Sequence, residues 1–407
     1  MKKRLEDLAI LGGEPLFTTP VRTGTPNITD RVRLFSLLSE MLDRNWLSNG
    51  GPLVRQFEDQ VAELSGVKHC VAMCNATVAL HVLLRALNLS GEVVMPSLTF
   101  PATAHAAAWL GLDPVFCDVD RRTANLDPAR TAEALNSRTS AIMGVHLWGR
   151  PADAEGLSAV AADRKLPLLF DAAHAIGCTA GGRPVGQLGL ASVFSFHATK
   201  VVSAFEGGAL VTDDSGLAEE VRALQNFGFA ADQTVRAVGT NGKMSEAAAA
   251  MGLTSLDSFD HVVTHNEGVY DTYLAGLAGV PGLSLGQFDR AERNNFQYVL
   301  IEIDPEVASR DDVQAVLAAE NVHTKRYFAP GCHELAPYRD RHLTPLPHTE
   351  AIAARVLALP TGTGVGSDQA ERICDVIRLV MQRTERAGTG PRNDADVRFE
   401  RIFQWSR

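Results

Sequence analysis

Cysteine is sparse and unpaired in this chain of 407 residues. Its six cysteines, Cys70, Cys74, Cys117, Cys178, Cys332 and Cys374, form no CxxC pair. Scattered thiols speak against a disulfide framework and suit a reduced cytoplasm. Cys70 and Cys74 are half of a metal-site spacing with no second half, so buried thiols and no metal are expected. Long apolar runs are missing too; none approaches the ~20 residues that a membrane span needs. The basic start Met1-Lys2-Lys3-Arg4 is followed by Leu5-Glu6-Asp7. No signal peptide is expected there, and the cytoplasm is the expected location. Positive charge is short: 38 Lys and Arg stand against 48 Asp and Glu, a net charge of −10. With no basic stripe interleaved with aromatics, a nucleic-acid surface is not expected. A local basic pocket for a phosphorylated substrate stays open.

What the chain does have is apolar residues, 45% of the total, enough for a large core and more than one domain. It also alternates. Residues 8–30 hold Gly12, Gly13, Pro15, Pro20, Gly24 and Pro26 and read as an extended arm. Asp30 is placed to cap a helix in which Val32, Leu34, Phe35, Leu38, Met41 and Leu42 recur at helical spacing. The turn from Trp46 to Pro52 breaks it, and Phe57, Val61 and Leu64 continue a helix closed by Gly66. Strands are predicted at 71–73, 92–96, 114–120, 140–145, 166–170, 191–196 and 209–211, with helices at 75–89 and 153–163 between them. Such strand–helix repeats imply a mostly parallel sheet with right-handed crossovers. Further on, 247–270 reads as one long helical connector, 295–303 as a strand, 311–320 as a helix and 354–381 as helical segments. The expected organisation is an N-terminal arm and helix at 1–50, a large domain at 51–255, a small C-terminal domain at 256–386 and a tail at 387–407.

Two strand ends carry the chemistry. The strand at 191–196 runs into Ser195-Phe196-His197-Ala198-Thr199-Lys200, followed by Glu206-Gly207-Gly208. A lysine held past a strand end can be shielded from water, which leaves a nucleophilic amine. One strand-and-turn earlier, an apolar run ends on Asp171-Ala172-Ala173-His174. Two parallel strands delivering a carboxylate and an amine at their carboxyl edge make a plausible site. An acid on a ring nitrogen and a Schiff-base lysine are what pyridoxal phosphate requires. Asn75-Ala76-Thr77 follows a strand and opens a helix, an arrangement that holds phosphate. Phe100, just past the strand at 92–96, could stack on a planar ring or fill the core.

Together these residues resemble the DegT/DnrJ/EryC1/StrS family of sugar aminotransferases, pyridoxal-phosphate enzymes of fold type I. The resemblance implies an aspartate-aminotransferase-like fold, with a mostly parallel seven-stranded sheet between helices and a smaller C-terminal α+β domain. It implies Lys200 and Asp171 as the catalytic pair, with Asp171 on the pyridine nitrogen. His174 would meet the ring, Phe100 would stack on it, and Ser195, Thr77 and Ala76 would hold its phosphate. Relatives usually carry S-G-T at 75–77, so Ala76 departs from their pattern. Asn241, in Gly239-Thr240-Asn241-Gly242-Lys243-Met244, resembles an asparagine that reaches the phosphate of the neighbouring subunit, which implies a homodimer. Lys243 stands where relatives have arginine, and the two are not interchangeable. Tyr327 and His333, in a stretch like R-Y-F-x-P-x-H, and Ser48 and Asn49, in a stretch like W-x-S/T-x-G-P, become substrate candidates; packing or a plain turn would explain each equally. Asp118 and Asp120 read as structural, and so does His146.

The expected activity is transfer of an amino group from an amino acid such as glutamate to a nucleotide-linked ketosugar, in deoxyaminosugar biosynthesis. The look of the chain is nearest to enzymes acting at C4 of a TDP-4-keto-6-deoxyhexose. Amination at C3, of a cyclitol or of an aromatic precursor remains an alternative, as does a non-catalytic regulator that binds the cofactor.

Overall fold

The chain is described by a computed structural model over residues 2–341 and 344–386. The expected tail at 387–407 lies outside the described residues. A seven-stranded sheet forms the centre, in the spatial order His69–Met73, Gly208–Thr212, Ala191–Ser195, Leu168–Asp171, Thr139–Val145, Glu92–Pro96, Asp113–Cys117. Gly208–Thr212 runs antiparallel to both neighbours. The other pairings are parallel.

Both faces of this sheet are covered, so its strands are apolar throughout rather than alternating with polar residues. Along His69–Met73, Cys70 and Ala72 join the core under the helices Pro52–Ser65 and Glu246–Asp257. Val71 and Met73 join the opposite core under Ala76–Ala86 and Pro101–Trp109. Asp30 caps the helix Arg31–Asp43 by accepting from Arg33 N, and Gly66 closes Pro52–Ser65 at φ 67°, both as the sequence predicts.

One glycine sets a close approach that matters for the site. A Cβ on Gly208 would lie 2.4 Å from the backbone nitrogen of Ala76. The glycine pair therefore lets the antiparallel strand pack directly under the start of the helix Ala76–Ala86.

A second core gathers around the three-stranded antiparallel sheet Leu283–Leu285, Val299–Ile303 and Val356–Leu359. The helices Phe259–Gly276, Arg310–Ala319 and Ser367–Arg386 cover it. Here the structure departs from several expectations. The connector at 247–270 is two helices, broken at Ser258. Within 354–381 lies the strand Val356–Leu359, whose short apolar run carries no periodicity of its own to separate it from a helix. The predicted strand at 114–120 stops at Cys117, and the one at 295–303 begins at Val299.

The N-terminal arm is fastened to this second core. Val21–Arg22 pairs in parallel with Val322–His323. Leu8, Leu16 and Phe17 are buried, and the buried Glu320 carboxylate accepts from the backbone nitrogens of Ala9 at 2.7 Å and Leu16 at 2.6 Å.

Candidate active site

The carboxyl ends of the central strands open onto a cavity of about 330 Å³. Lys200, Asp171, His174, Ser195, Thr77, Ala76, Phe100 and Tyr327 all line it. Residues from sequence positions 76 to 327 thus converge on one volume.

Asp171 ends its strand at the floor, buried. One carboxylate oxygen accepts from Thr103 Oγ1 at 2.7 Å and the other from Ala173 N at 3.1 Å. Burial pushes its carboxyl up from the ordinary range; the Thr103 hydroxyl, the Ala173 N–H and the nearby Lys200 pull it back. Lys200 follows the strand Ala191–Ser195 by a turn in which its own N–H reaches His197 O at 2.9 Å. Burial lowers its amine to about 7, against the pull of Asp171, and Lys325 adds to the lowering. The Lys200 amine donates to the Tyr298 hydroxyl at 3.0 Å.

His174 is neutral, held well below its usual range by burial and then by Lys200. Its Nδ1 accepts from Trp148 N at 3.1 Å, which places the ring proton on Nε2. Phe100 is 57% exposed, so it does not fill the core; it lies 5.9 Å from the Phe328 ring. Asn75 caps the helix Ala76–Ala86 by accepting from Val78 N at 2.8 Å. That leaves the first turn, at Ala76 and Thr77, facing the cavity.

Other candidates lie elsewhere. Ser48 and Asn49 sit exposed on the turn after the helix Arg31–Asp43, away from the cavity lining. His333 is packed under Ser97, with Nδ1 2.6 Å from its Oγ, and does not line the cavity. Asn241 is exposed and outside this chain's cavity. Lys243 pairs with no carboxylate among the described residues; it donates to Asn226 Oδ1 at 2.8 Å and lies over the Phe227 ring. Asp118 accepts from Thr349 N and Oγ1, and Asp120 from Thr123 N, which are structural ties. His146 accepts from Ala152 N through Nδ1, while its Nε2 is buried without a partner.

The segment at 295–298, which the sequence predicts only as part of a strand, also joins the site. Asn295 donates to the carbonyls of His174 and Ile176. Gln297 accepts from Val201 N at 3.2 Å and donates to Thr199 O at 3.1 Å, bracketing Lys200. Tyr298 touches the Lys200 amine and lies 4.6 Å from the His174 ring. A single segment thereby ties together the loop after Asp171 and the loop bearing Lys200.

The arrangement fits pyridoxal phosphate on its own geometry. Asp171 keeps acceptor capacity beyond its two bonds. Lys200 is poised near neutrality, and a helix N-terminus is brought to the cavity by the approach at Gly208. The comparisons agree. Fold and site together define a pyridoxal-phosphate-dependent aminotransferase of fold type I. A profile of the DegT/DnrJ/EryC1/StrS aminotransferase family matches residues 29–378, and the chain belongs to that family.

A dTDP-4-amino-4,6-dideoxy-D-glucose transaminase of Shigella dysenteriae is 34% identical over 370 residues, covering 90% of this chain and 99% of that protein. A GDP-perosamine synthase of Caulobacter vibrioides is 32% identical over 367 residues, covering 89% and 98%. The crystal structure of DesI, solved in the presence of its TDP-sugar product, is 56% identical with a TM-score of 0.91, covering 94% of this chain and 98% of that chain.

Proposed function

We propose that this chain moves an amino group from an amino acid, glutamate first among them, to C4 of a TDP-linked 4-keto-6-deoxyhexose. One observation carries the chemistry: a buried acid and a half-buried lysine whose amine is lowered to about 7 face one cavity. The choice of sugar and carbon is supported by the names of the DesI and Shigella relatives. The Caulobacter relative keeps a GDP-linked sugar as the second reading.

When bound, pyridoxal phosphate supplies an aldehyde that condenses with amines and a ring that takes up an electron pair. In this reading Asp171 would accept a hydrogen bond from the protonated ring nitrogen, with the Thr103 hydroxyl and the Ala173 N–H favouring its ionised carboxylate. His174 would offer its Nε2–H to the ring's oxygen. The helix N-terminus at Ala76 and Thr77, with Ser195, would hold the phosphate, and Phe100 would pack on the ring face. With the cofactor bound, the Lys200 amine would be the group that takes and returns a proton at the donor's α-carbon. Its lowered pKa keeps that amine free to accept a proton near neutral pH. Tyr298 steadies it from one side, and Tyr327 faces the space left for the sugar. One cavity serves both halves of the reaction, so the kinetics are ping-pong.

Asn241 lies outside this chain's cavity, so a phosphate contact from it requires a second copy. The reading therefore includes a homodimer, and sedimentation returning an active monomer would remove that part.

The experiment is spectroscopic. Glutamate added to the holoenzyme should bleach its visible absorbance and raise a near-ultraviolet band, and a TDP-4-keto-6-deoxyhexose should reverse the change. A spectrum indifferent to glutamate would point to a non-catalytic binder. A panel of TDP-, UDP- and GDP-ketosugars then ranks the acceptors.

A further inference from the structure

The cavity wall carries two lysines, Lys200 and Lys325, and no arginine among its described residues. Its acids are Asp171 and Glu206. Asp171 is engaged at the floor, and Glu206 faces His197 Nε2 at 3.6 Å. Lys325 has neither. Among the described residues its ammonium has no hydrogen-bond acceptor and no carboxylate, only the Tyr327 ring, 5.7 Å away. It is exposed at the mouth of the cavity.

Its backbone is nonetheless fixed. Lys325 N donates to Ala358 O at 3.2 Å, and Ala358 N donates back to Lys325 O at 2.8 Å. The arm runs alongside this backbone: Thr23 N reaches His323 O at 3.0 Å, and Thr23 Oγ1 reaches Ala358 O at 3.2 Å. A Cβ on Gly24, which sits at φ 82°, would lie 3.9 Å from Lys325 Nζ and 3.4 Å from Thr199 Cβ. The arm thus passes close to the ammonium at Gly24 without supplying a counter-charge.

A cation held at a cavity mouth without an internal partner is short of an anion, and both proposed substrates bring one. The amino donor carries carboxylates; the nucleotide sugar carries a diphosphate. Lys200 is committed to the cofactor, which leaves Lys325 as the free cationic side chain on the described wall. We propose that Lys325 binds the anionic oxygens of the incoming substrate, a carboxylate in one half of the reaction and a phosphate in the other. An ammonium suits this double use, because a compact point charge with three donors imposes no planar, two-point geometry. The inference rests on the function proposed above.

The test compares Lys325→Met and Lys325→Arg in the holoenzyme. It reads KM for glutamate and for the TDP-ketosugar separately, together with calorimetric binding of thymidine diphosphate. Losing one charge-assisted contact should raise the affected KM roughly tenfold, with kcat falling less, and Lys325→Arg should recover most of the loss. A rise for both substrates means that Lys325 serves each in turn. A rise for glutamate alone assigns the carboxylate, and a rise for the sugar alone, with weaker thymidine diphosphate binding, assigns the phosphate. Unchanged KM values and unchanged thymidine diphosphate binding in Lys325→Met overturn the proposal. If wild-type protein ignores glutamate, the aminotransferase reading fails instead, and the calorimetry still reports on Lys325.

Discussion

The floor of the cavity and its mouth are built on different terms. At the floor each polar group is tied to another: Asp171 to Thr103 and Ala173, His174 to Trp148, and the backbone of Thr199 and Val201, on either side of Lys200, to Gln297. At the mouth Lys325 and Phe100 are exposed, and Lys325 rests on nothing firmer than a ring. Burial at the floor moves pKa values and the Trp148 N–H fixes one His174 tautomer, which is what proton transfer at defined atoms needs. Openness at the mouth leaves charge and aromatic surface for whatever arrives. The proposed function places the chemistry at the floor and recognition at the mouth.

Substitutions can break that contrast. Lys200→Ala should have the largest effect, cutting turnover about 10⁴-fold or more while the circular dichroism spectrum stays native. Turnover above trace levels would remove Lys200 as the base. Asp171→Asn keeps the shape and removes the charge. Steady-state kinetics should show kcat/KM down by about tenfold to a hundredfold, the worth of one charge-assisted bond.

Thr103→Val is subtler and has a definite sign. Its hydroxyl lowers the Asp171 pKa against the raising effect of burial. Without it the carboxyl is pushed further up, so the acid limb of the kcat/KM profile should move to higher pH by about one unit. A shift downward, or none, would contradict the role given to Thr103. Tyr298→Phe should be smallest, a few-fold loss in kcat, since Lys200 loses one neutral partner.

The cofactor-free protein offers a pH test of the floor. Burial, with help from Lys325, lowers Lys200 to about 7. Its neutral, nucleophilic form should therefore grow as pH rises through 7, and the rate of pyridoxal phosphate uptake should climb and level off above it. A midpoint near the ordinary lysine value, about 10.4, would mean that the site does not depress Lys200.

The floor was largely legible in the sequence because its parts are local. A strand ending on Asp171, a turn bearing Lys200 and a capped helix start at Asn75-Ala76-Thr77 each announce themselves within a few residues. What ties those parts together was not legible. Tyr298 meets Lys200 across 98 residues of chain, and Gln297 reaches Val201 across 96. Neither carries a pattern beyond that of a strand approach. Thr103 hides in an alanine-rich helix, where its side chain looks like any small packing residue. Lys325 sits in a charged, turn-like stretch that reads as surface until the pairing with Ala358 and the arm set it beside the cavity. The arm reads from its glycines and prolines only as extended, because the buried Glu320 that holds it lies 304 residues from Leu16.

The most direct test uses the second lysine as a built-in control. Holoenzyme reduced with borohydride, digested and mapped by mass spectrometry will carry the phosphopyridoxyl group on one lysine. The floor-and-mouth account predicts that label on Lys200, with Lys325 unmodified. A label on Lys325, or on any lysine outside the cavity, would contradict it.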